Sequence, residues 1–443
     1  MDLTQKIYIK MKPNNKKLYT MLDSYSFCAK NLRNYTNYII NQCSRISYKL
    51  KSGEILDSWE KYLILDINKA LYQYNLNKNK PLQYIDENNG FIANAYFLSY
   101  YLKNKQVYKE VPLATCSQIV IQNLCSDWKN FYKSIKDYYK NPSRFLGKPK
   151  PPKYYDKFLG RDWLTITYQN IKKLDNNSLG LPKCFDGLNI KTDKENIKLV
   201  KVKTTPLVIE INIVYGVEDT TKKKDNGRYM GIDIGVNNLM AIASNTNMKP
   251  IIINGRPIKS INQYYNKEKA RLQRIATSCN GAYMTTRIMK LTQKRNNKVM
   301  DYLHKASKKV IDLAITNNIS KIVIGKNDGW KQEVKLGKKT TQNFVSIPFN
   351  ILIQMLKYKA DLAGIELVVV EEKYTSGTSY VDNELPTKEN YNKTRRKYRG
   401  LFISNNGISI NADINAAYQI MKRDNIVINY KGYEKIEKIR KVA

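Results

Sequence analysis

The chain has 443 residues and a formal net charge of +38 at pH 7, because 76 Lys and Arg residues stand against 38 Asp and Glu residues. Hydrophobic residues make up 42% of it, which excludes a disordered basic tail, and the length predicts two to four domains. The sequence contains a single histidine, His304. Catalytic triads and histidine-dependent nucleases or transposases are therefore poor fits, and any catalysis is expected from carboxylates.

The excess of positive charge predicts a polyanionic partner. Nucleic acid fits best, since it offers one phosphate charge per ~1.7 Å of duplex and the 34 tyrosines, interleaved with cations, can stack on bases. A membrane surface fits less well, because the charge is spread along the whole chain and no basic helix has a clean apolar face. With no apolar window of about 18 to 20 residues and no secretory h-region, we expect a cytoplasmic protein without a membrane partner.

The predicted elements begin with a strand over Gln5 to Lys12, in which apolar residues alternate with polar ones. A helical pattern with almost no Gly or Pro follows from 16 to 140. Residues 141–153 contain four prolines and cannot be helical. Short β-type runs between 162 and 217 then predict, together with the first strand, a small antiparallel barrel or sheet that the helical module interrupts.

After a charged linker at 220–227, the pattern changes to that of an α/β domain. Three hairpin-like strands come first and strands alternate with helices after them, which is typical of an RNase H-like arrangement. The predicted elements are strands Tyr229 to Ile234, Leu239 to Ser244 and Pro250 to Ile253, helices Ser260 to Ile275 and Arg287 to Asn317, strand Lys321 to Ile324, helix Ile347 to Ala363, strand Glu366 to Val370 and a helix from Asp413.

Carboxylates in this last domain are the candidate catalytic groups. Asp233 lies inside an apolar strand, where a buried carboxylate needs a cation such as Mg²⁺ or a strong set of donors. Asp413 begins a helix, where it either binds metal or caps the helix. Two cations ~3.5 to 4 Å apart are typically shared by about three carboxylates. Glu371 and Glu372 follow an apolar strand, and because side chains alternate there, only one of them can point at Asp233.

Five motifs occur in the same order as in a known family: GIDIGVNN around Asp233, IVIGKNDGWKQ from Ile322, QNFVSIPF from Gln342, EEKYTS from Glu371 and NADINAAYQI around Asp413. Together they resemble the TnpB (OrfB) family of transposon-encoded RNA-guided nucleases, which are related to the compact type V CRISPR effectors. The resemblance is dense over residues 228–420. It is weaker upstream, where FLGKPKPPKY resembles the segment that leads into the family's wedge domain.

The resemblance implies a multidomain α+β protein. In this family an antiparallel β wedge barrel carries an inserted helical recognition module and is joined to a C-terminal RNase H-like (RuvC) α/β domain. The implied boundaries are 1–15 for the first wedge strand, 16–140 for the recognition module, 141–222 for the rest of the wedge barrel and 223–443 for the RuvC domain, within which 378–406 form a degenerate zinc-knuckle insertion.

The resemblance also implies an activity. Proteins of this family bind a guide RNA from the transposon end, pair it with double-stranded target DNA beside a short target-adjacent motif, and cut the DNA at one RuvC site. Mg²⁺ is the implied cofactor, and Mn²⁺ can substitute for it. Asp233 matches the first catalytic aspartate of the family and Asp413 matches the last.

The sequence departs from the family at the middle carboxylate. Gly325 stands where a glutamate usually follows a strand, and glycine cannot bind metal. In the branch with the IGKN and WKQ motifs the glutamate follows the next strand, which implies Glu371 or Glu372 here. A decayed nuclease that still binds RNA and DNA is the alternative that Gly325 allows, and a DDE-type transposase is a further alternative.

A second departure concerns zinc. Ser379 and Asp382 replace one cysteine pair of the family's zinc knuckle, and Ile403 and Asn406 replace the other, so no zinc is expected. We expect basic, amide and aromatic residues of the matched motifs, of the proline-rich boundary and of the knuckle loop to contact nucleic acid. They are Lys148, Lys150, Lys153, Lys326, Asn327, Trp330, Lys331, Gln342, Asn343, Arg395 and Arg396.

Overall fold

The computed structural model divides the chain into two compact units, residues 1–218 and residues 219–443. Within them it describes residues 1–76, 78–174, 176–327, 338–398, 400–428 and 437–439. In this described part of the chain, no helix combines the length and apolar character needed to cross a membrane.

Unit 1 combines a helical module with antiparallel sheets, as the sequence predicts. Its helices are α1 (Lys16–Lys51), α2 (Ser58–Asn75), α3 (Ala95–Leu102), α4 (Gln106–Lys109) and α5 (Ala114–Lys140). Its strands are β1 (Asp2–Lys10), β2 (Leu164–Thr167), β3 (Lys172–Lys173), β4 (Ser178–Gly180), β5 (Ile190–Lys191), β6 (Ile197–Thr205) and β7 (Val208–Gly216). The module α1 to α5 therefore lies between the first and second strands of the chain.

The larger sheet of unit 1 has the order β1-β7-β6-β2, and the smaller one has the order β3-β4-β5. β1 pairs antiparallel with β7 along its whole length, from Asp2 opposite Gly216 to Lys10 opposite Val208. Among the described residues neither sheet closes on itself, so unit 1 has the antiparallel sheet that the β-type runs allow, and these open sheets do not form the barrel that the resemblance implies. One apolar core joins the helices to the larger sheet, and it includes Leu22, Phe97, Leu124, Ile166 and Ile211.

Unit 2 is a mixed sheet with helices on both faces. Its strands are β8 (Tyr229–Ile234), β9 (Asn238–Ser244), β10 (Ile251–Asn254), β11 (Lys321–Gly325), β12 (Glu366–Val370), β13 (Leu401–Ile403), β14 (Ser409–Asn411) and β15 (Glu437–Ile439). Its helices are α6 (Arg256–Asn280), α7 (Thr286–Thr316), α8 (Lys338–Val345), α9 (Phe349–Leu362) and α10 (Ala412–Arg423). The three hairpin-like strands and the alternation after them match the prediction.

The main sheet of unit 2 has the order β12-β11-β8-β9-β10-β15. β8, β9 and β10 form an antiparallel meander, whereas β11 and β12 run parallel to β8. The carboxyl ends of β8, β11 and β12 therefore meet at one edge of the sheet, the edge where ligand sites form in α/β proteins.

Alternation along β8 places Asp233 on the face of the sheet that carries α10. Met230, Ile232 and Ile234 belong to the core that includes α7 and α9. Gly231, on the opposite face with Asp233, lies under α10, since a Cβ there would stand 2.2 Å from the carbonyl oxygen of Ala417. A glycine at this position lets α10 approach the sheet closely.

Candidate active site

Three of the predicted carboxylates line one cavity of about 860 Å³. Asp233 comes from β8, Glu372 follows the end of β12, and Asp413 lies in the first turn of α10. Asn238 and Arg396 also line this cavity. The fold thus brings together residues that are far apart in the sequence, because parallel strands end at the same edge and α10 begins beside it.

The cavity holds several acidic side chains close together. Burial, followed by the negative charges of Asp413 and Glu372, raises the pKa of Asp233 well above its usual range, and the nearby Arg396 acts in the opposite direction. Burial also raises the pKa of Glu372 to about 7. Carboxyl groups raised in this way, and close to one another, are typical of sites that bind cations or transfer protons.

Asp413 is held by neighbours of its own. Its carboxylate accepts hydrogen bonds from Asn238 Nδ2 at 2.7 Å and from Arg396 Nη2 at 3.0 Å. The alternative role considered for it, capping α10, belongs to Asn411, whose Oδ1 accepts from the backbone N–H groups of Asp413 and Ile414. Asp413 is therefore free of the capping role and lines the cavity.

The structure distinguishes Glu371 from Glu372. Glu371 is exposed, and its carboxylate lies 3.8 Å from the guanidinium of Arg423. Glu372 lines the carboxylate cavity and accepts a hydrogen bond from Asn327 Nδ2 at 3.1 Å. Only one of the two side chains reaches the cavity, as the alternation along a strand predicts.

Gly325 is compatible with a carboxylate that comes from the next strand. A Cβ at Gly325 would stand 2.5 Å from Ile420 Cδ1 and 3.1 Å from the Cβ of Glu372. A side chain at position 325 would therefore collide with Ile420 of α10 and stand tightly against the Cβ of Glu372. Glycine at 325 thus leaves room for the carboxylate at 372.

The carboxylates fit a hard divalent cation by their chemistry. Asp233, Glu372 and Asp413 offer oxygen ligands, which Mg²⁺ prefers, and their crowding would be relieved by a cation. In the described parts of the chain, no three His, Cys, Asp or Glu side chains already stand in an arrangement that would hold a metal ion. The guanidinium of Arg396 supplies positive charge beside Asp413 instead.

Three residues of this site were not predicted as parts of it. Asn238 was not predicted to have any function, although it ends the GIDIGVNN motif and so lies next to the strand that bears Asp233. Asn327 was predicted to contact nucleic acid, and its amide instead donates to Glu372. Arg396, also predicted as a nucleic-acid contact, lines the cavity and pairs with Asp413.

The other predicted nucleic-acid contacts differ in exposure. Lys148, Lys150, Lys153 and Gln342 are exposed, and Lys326 is half-buried. Asn343 is buried, so its side chain is a poor candidate for such a contact. Trp330 and Lys331 lie outside the described residues.

Arg395 is a second poor candidate. Its guanidinium Nη1 donates to both carboxylate oxygens of Glu384, each at 2.8 Å, and lies 3.9 Å from Asp382. Only 12% of its side chain is exposed. The prediction that Arg395 meets nucleic acid overlooked these two acids, which the fold brings next to it.

The positions of the degenerate zinc knuckle are joined by hydrogen bonds. Asp382 Oδ2 accepts from the backbone N–H of Asn405 at 2.8 Å, and Ser379 N donates to Glu384. The first of these bonds links the two places where the family has its cysteine pairs. We refer to Ser379, Asp382, Glu384, Arg395 and Asn405 as the knuckle network.

Unit 2 is therefore an α/β unit, in which a mixed sheet is flanked by helices and carboxylates gather where its parallel strands end. Two family models match the chain: OrfB_IS605, described as a probable transposase, over residues 212–331, and the Cas12f1-like TNB domain over residues 349–420. These matches support the assignment of the chain to the TnpB-like family of compact type V effectors, which the motifs predict.

Two relatives are similar over part of their length. The chain is 28% identical to the CRISPR-associated endodeoxyribonuclease Cas12f2 of Micrarchaeota archaeon (strain CG1_02_47_40) over 217 residues, which are 45% of this chain and 37% of that protein. It is 23% identical to the CRISPR-associated endodeoxyribonuclease Cas12f1 of Sulfoacidibacillus thermotolerans over 217 residues, 47% of this chain and 49% of that protein. The chain thus spans less than half the length of these curated relatives.

Solved structures were also compared. The structure of the mini-RNA-guided endonuclease CRISPR-Cas_phi3 aligns with a TM-score of 0.46 and 10% identity, over 95% of this chain and 92% of that chain.

Proposed function

We propose that the chain is an RNA-guided DNA endonuclease of a mobile element. A guide RNA from the transposon end pairs with double-stranded target DNA beside a short adjacent motif, and one carboxylate site then cuts the DNA. The observation that carries this proposal is the convergence of Asp233, Glu372 and Asp413 on one cavity. The names of the two relatives, both endodeoxyribonucleases, support it.

The finer architecture is part of the proposal. The meander β8-β9-β10 followed by the parallel strands β11 and β12 supports an RNase H-like RuvC domain over 223–443. The four-stranded sheet of unit 1 is the wedge domain, formed by 1–15 and 141–222, and α1 to α5 are the recognition module over 16–140.

Asp233, Glu372 and Asp413 would hold the Mg²⁺ ions. When bound there, Mg²⁺ would supply an activated water and neutralise charge on the scissile phosphate. The chain's own groups orient these ligands: Asn238 and Arg396 fix the carboxylate of Asp413, and Asn327 fixes that of Glu372. Glu371 has no part in the site.

The test is cleavage of a matched target by the protein with the RNA that copurifies with it, which is sequenced first to identify the guide. The wild type is expected to cut in Mg²⁺ and to stop on chelation. Asp233→Ala removes the first ligand and should abolish cutting. Glu371→Ala is the matched control and should cut at the wild-type rate, because Glu371 lies outside the cavity. Equal cutting by the wild type and Asp233→Ala would refute the proposal.

Two other outcomes identify the alternatives. Target binding without cleavage in either Mg²⁺ or Mn²⁺ would indicate an RNA-guided DNA-binding protein without nuclease activity. Treatment with ribonuclease should remove the target preference of an RNA-guided enzyme. If the treated protein still selects DNA, and selects transposon ends, a DDE-type transposase is indicated instead.

A further inference from the structure

A second cavity of unit 2 lies between α6 and α7. It measures about 410 Å³ and is lined by Ser260, Ile261, Tyr264, Tyr265, Leu291, Lys294, Arg295 and Lys298. We propose that this hairpin cavity binds the DNA strand being cut, with a base stacked on Tyr264 and phosphates on Lys294 and Lys298. The proposal rests on the function proposed above and adds a subsite to it.

The two lysines of the hairpin cavity are not paired with acids in the described part of the chain. Lys294 and Lys298 are exposed, and among the described residues neither forms an ion pair. They are four residues apart on α7, so they follow one face of the helix about 6 Å apart along its axis. This separation is close to that between successive phosphates of an extended strand, which makes the pair suitable for tracking a nucleic-acid backbone.

Arg295 is a fixed cation in the same wall. Its Nε donates to Asn262 Oδ1 at 2.7 Å and its Nη2 donates to the carbonyl oxygen of Ser346 at 2.8 Å. All its described hydrogen-bond acceptors are neutral, and burial lowers its pKa. A partly buried guanidinium without a carboxylate favours an anion at its open side.

The aromatic residues of the cavity offer a stacking surface. Tyr265 is held by its hydroxyl, 3.1 Å from Thr292 Oγ1, and by Arg295, whose guanidinium carbon lies 5.5 Å from the ring centroid. Tyr264 is 67% exposed. Exposed tyrosines beside cations bind single strands, because each base can stack on the ring while its phosphate meets the cation.

The hairpin cavity and the carboxylate cavity are both lined by residues of α6. Arg256, the first residue of α6, lines the carboxylate cavity, and Ser260 and Tyr264 follow it one and two turns along the same helix. Tyr264 is thus about 12 Å along the axis from Arg256. Phe344, two residues before Ser346, lines the carboxylate cavity as well. The ~12 Å from Arg256 to Tyr264 corresponds to about two nucleotides of an extended strand, so a strand with one phosphate at the carboxylates would reach Tyr264 a few nucleotides later.

Photo-crosslinking tests the occupant directly. The uncut complex of Asp233→Ala with guide RNA and target carries 5-iodouracil at one position at a time on the strand to be cut. The expected adduct maps to Tyr264 from one position, a few nucleotides from the cleavage site determined with the wild type, and is lost in Tyr264→Leu. Absence of this adduct at every position would overturn the proposal, and so would adducts at Tyr264 from iodouracil in the guide RNA.

Kinetics provide a second readout. Single-turnover cutting should slow roughly tenfold in Tyr264→Leu and in Lys294→Gln/Lys298→Gln. The double lysine variant should also reduce, by about 1.4, the slope of the logarithm of the strand-binding constant against the logarithm of the salt concentration. Arg274→Gln/Lys309→Gln removes the same charge from exposed positions outside the cavity and should match the wild type. Equal losses in this control would overturn the subsite. A wild type that never cuts overturns the nuclease proposal, while crosslinking along the target strand still tests the cavity.

Discussion

At the scale of single residues, the buried carboxyl of Glu372 lowers the stability of the metal-free folded protein once it is ionised. Burial raises the pKa of this carboxyl from 4.5 to about 7, so the metal-free folded protein retains a proton that the unfolded chain releases. Stability therefore falls as the pH rises from about 4.5 to about 7, and the loss is complete above that range. A cation bound beside Glu372 should offset this loss, because it compensates the buried negative charge.

Glu372→Gln should accordingly stabilise the metal-free protein. At pH 8 the expected gain in the free energy of unfolding is at most about 3 kcal/mol, and it should disappear near pH 4.5. Chemical denaturation in a chelator at both pH values measures it. Glu371→Gln, at an exposed neighbour, should change stability little at either pH. A less stable Glu372→Gln protein at pH 8 would contradict the argument.

Asn238 offers a prediction about orientation. Its amide donates to the Asp413 carboxylate at 2.7 Å, and a partner that orients a metal ligand in this way typically contributes about 10- to 100-fold to metal affinity. Asn238→Ala should therefore raise the Mg²⁺ concentration needed for half-maximal cutting by that factor. At saturating Mg²⁺ the rate should largely recover. A rate that stays low at every Mg²⁺ concentration would mean that Asn238 does more than orient Asp413.

At the scale of elements, the knuckle network joins the loops in which the resemblance implies a degenerate zinc knuckle. The side chains of Asp382, Glu384 and Arg395 are 8%, 14% and 12% exposed, so their ion pairs are poorly screened by solvent. Removing one partner of a buried pair leaves the other charge uncompensated, which costs about 3 to 5 kcal/mol. The loops of this region are thus held by charge pairs and hydrogen bonds.

Arg395→Ala should therefore unfold at a lower temperature than the wild type, with a loss of about 3 kcal/mol. Lys393→Ala, at an exposed position of the same loop, is the control and should leave stability unchanged. A zinc chelator should not shift the melting temperature of the wild type. Thermal denaturation measures all three, and a chelator effect together with bound zinc in elemental analysis would contradict the assignment.

The sequence predicted elements better than it predicted side-chain partners. Strand and helix periodicity predicted β8 to β12 and α10, because long apolar patterns are decided locally. The choice of Glu372 required knowing which way the chain leaves β12, and the role of Arg395 required knowing that Glu384 lies beside it. Such contacts depend on loops, where no periodic pattern reports direction. The open sheet of unit 1 likewise depends on pairing between strands that are far apart in the sequence, such as β1 and β7, which no local pattern predicts.

At the scale of the whole molecule, the net charge of +38 is the dominant electrostatic feature. Like charges repel in the compact state, so a protein stripped of nucleic acid is destabilised by its own field. On the proposed function, a bound guide RNA would remove that repulsion and stabilise the folded state by mass action. Salt should therefore act on the two forms in opposite directions.

For the RNA-free protein, moderate salt screens the repulsion and should raise the melting temperature. For the guide complex, the same salt reduces the free energy gained when binding displaces counterions. RNA binding therefore weakens, and the melting temperature should fall. The two curves should converge at high salt, where RNA no longer contributes. Thermal denaturation across a sodium chloride series, with and without ribonuclease treatment, measures both. Parallel curves would show that RNA does not neutralise the charge that destabilises the free chain.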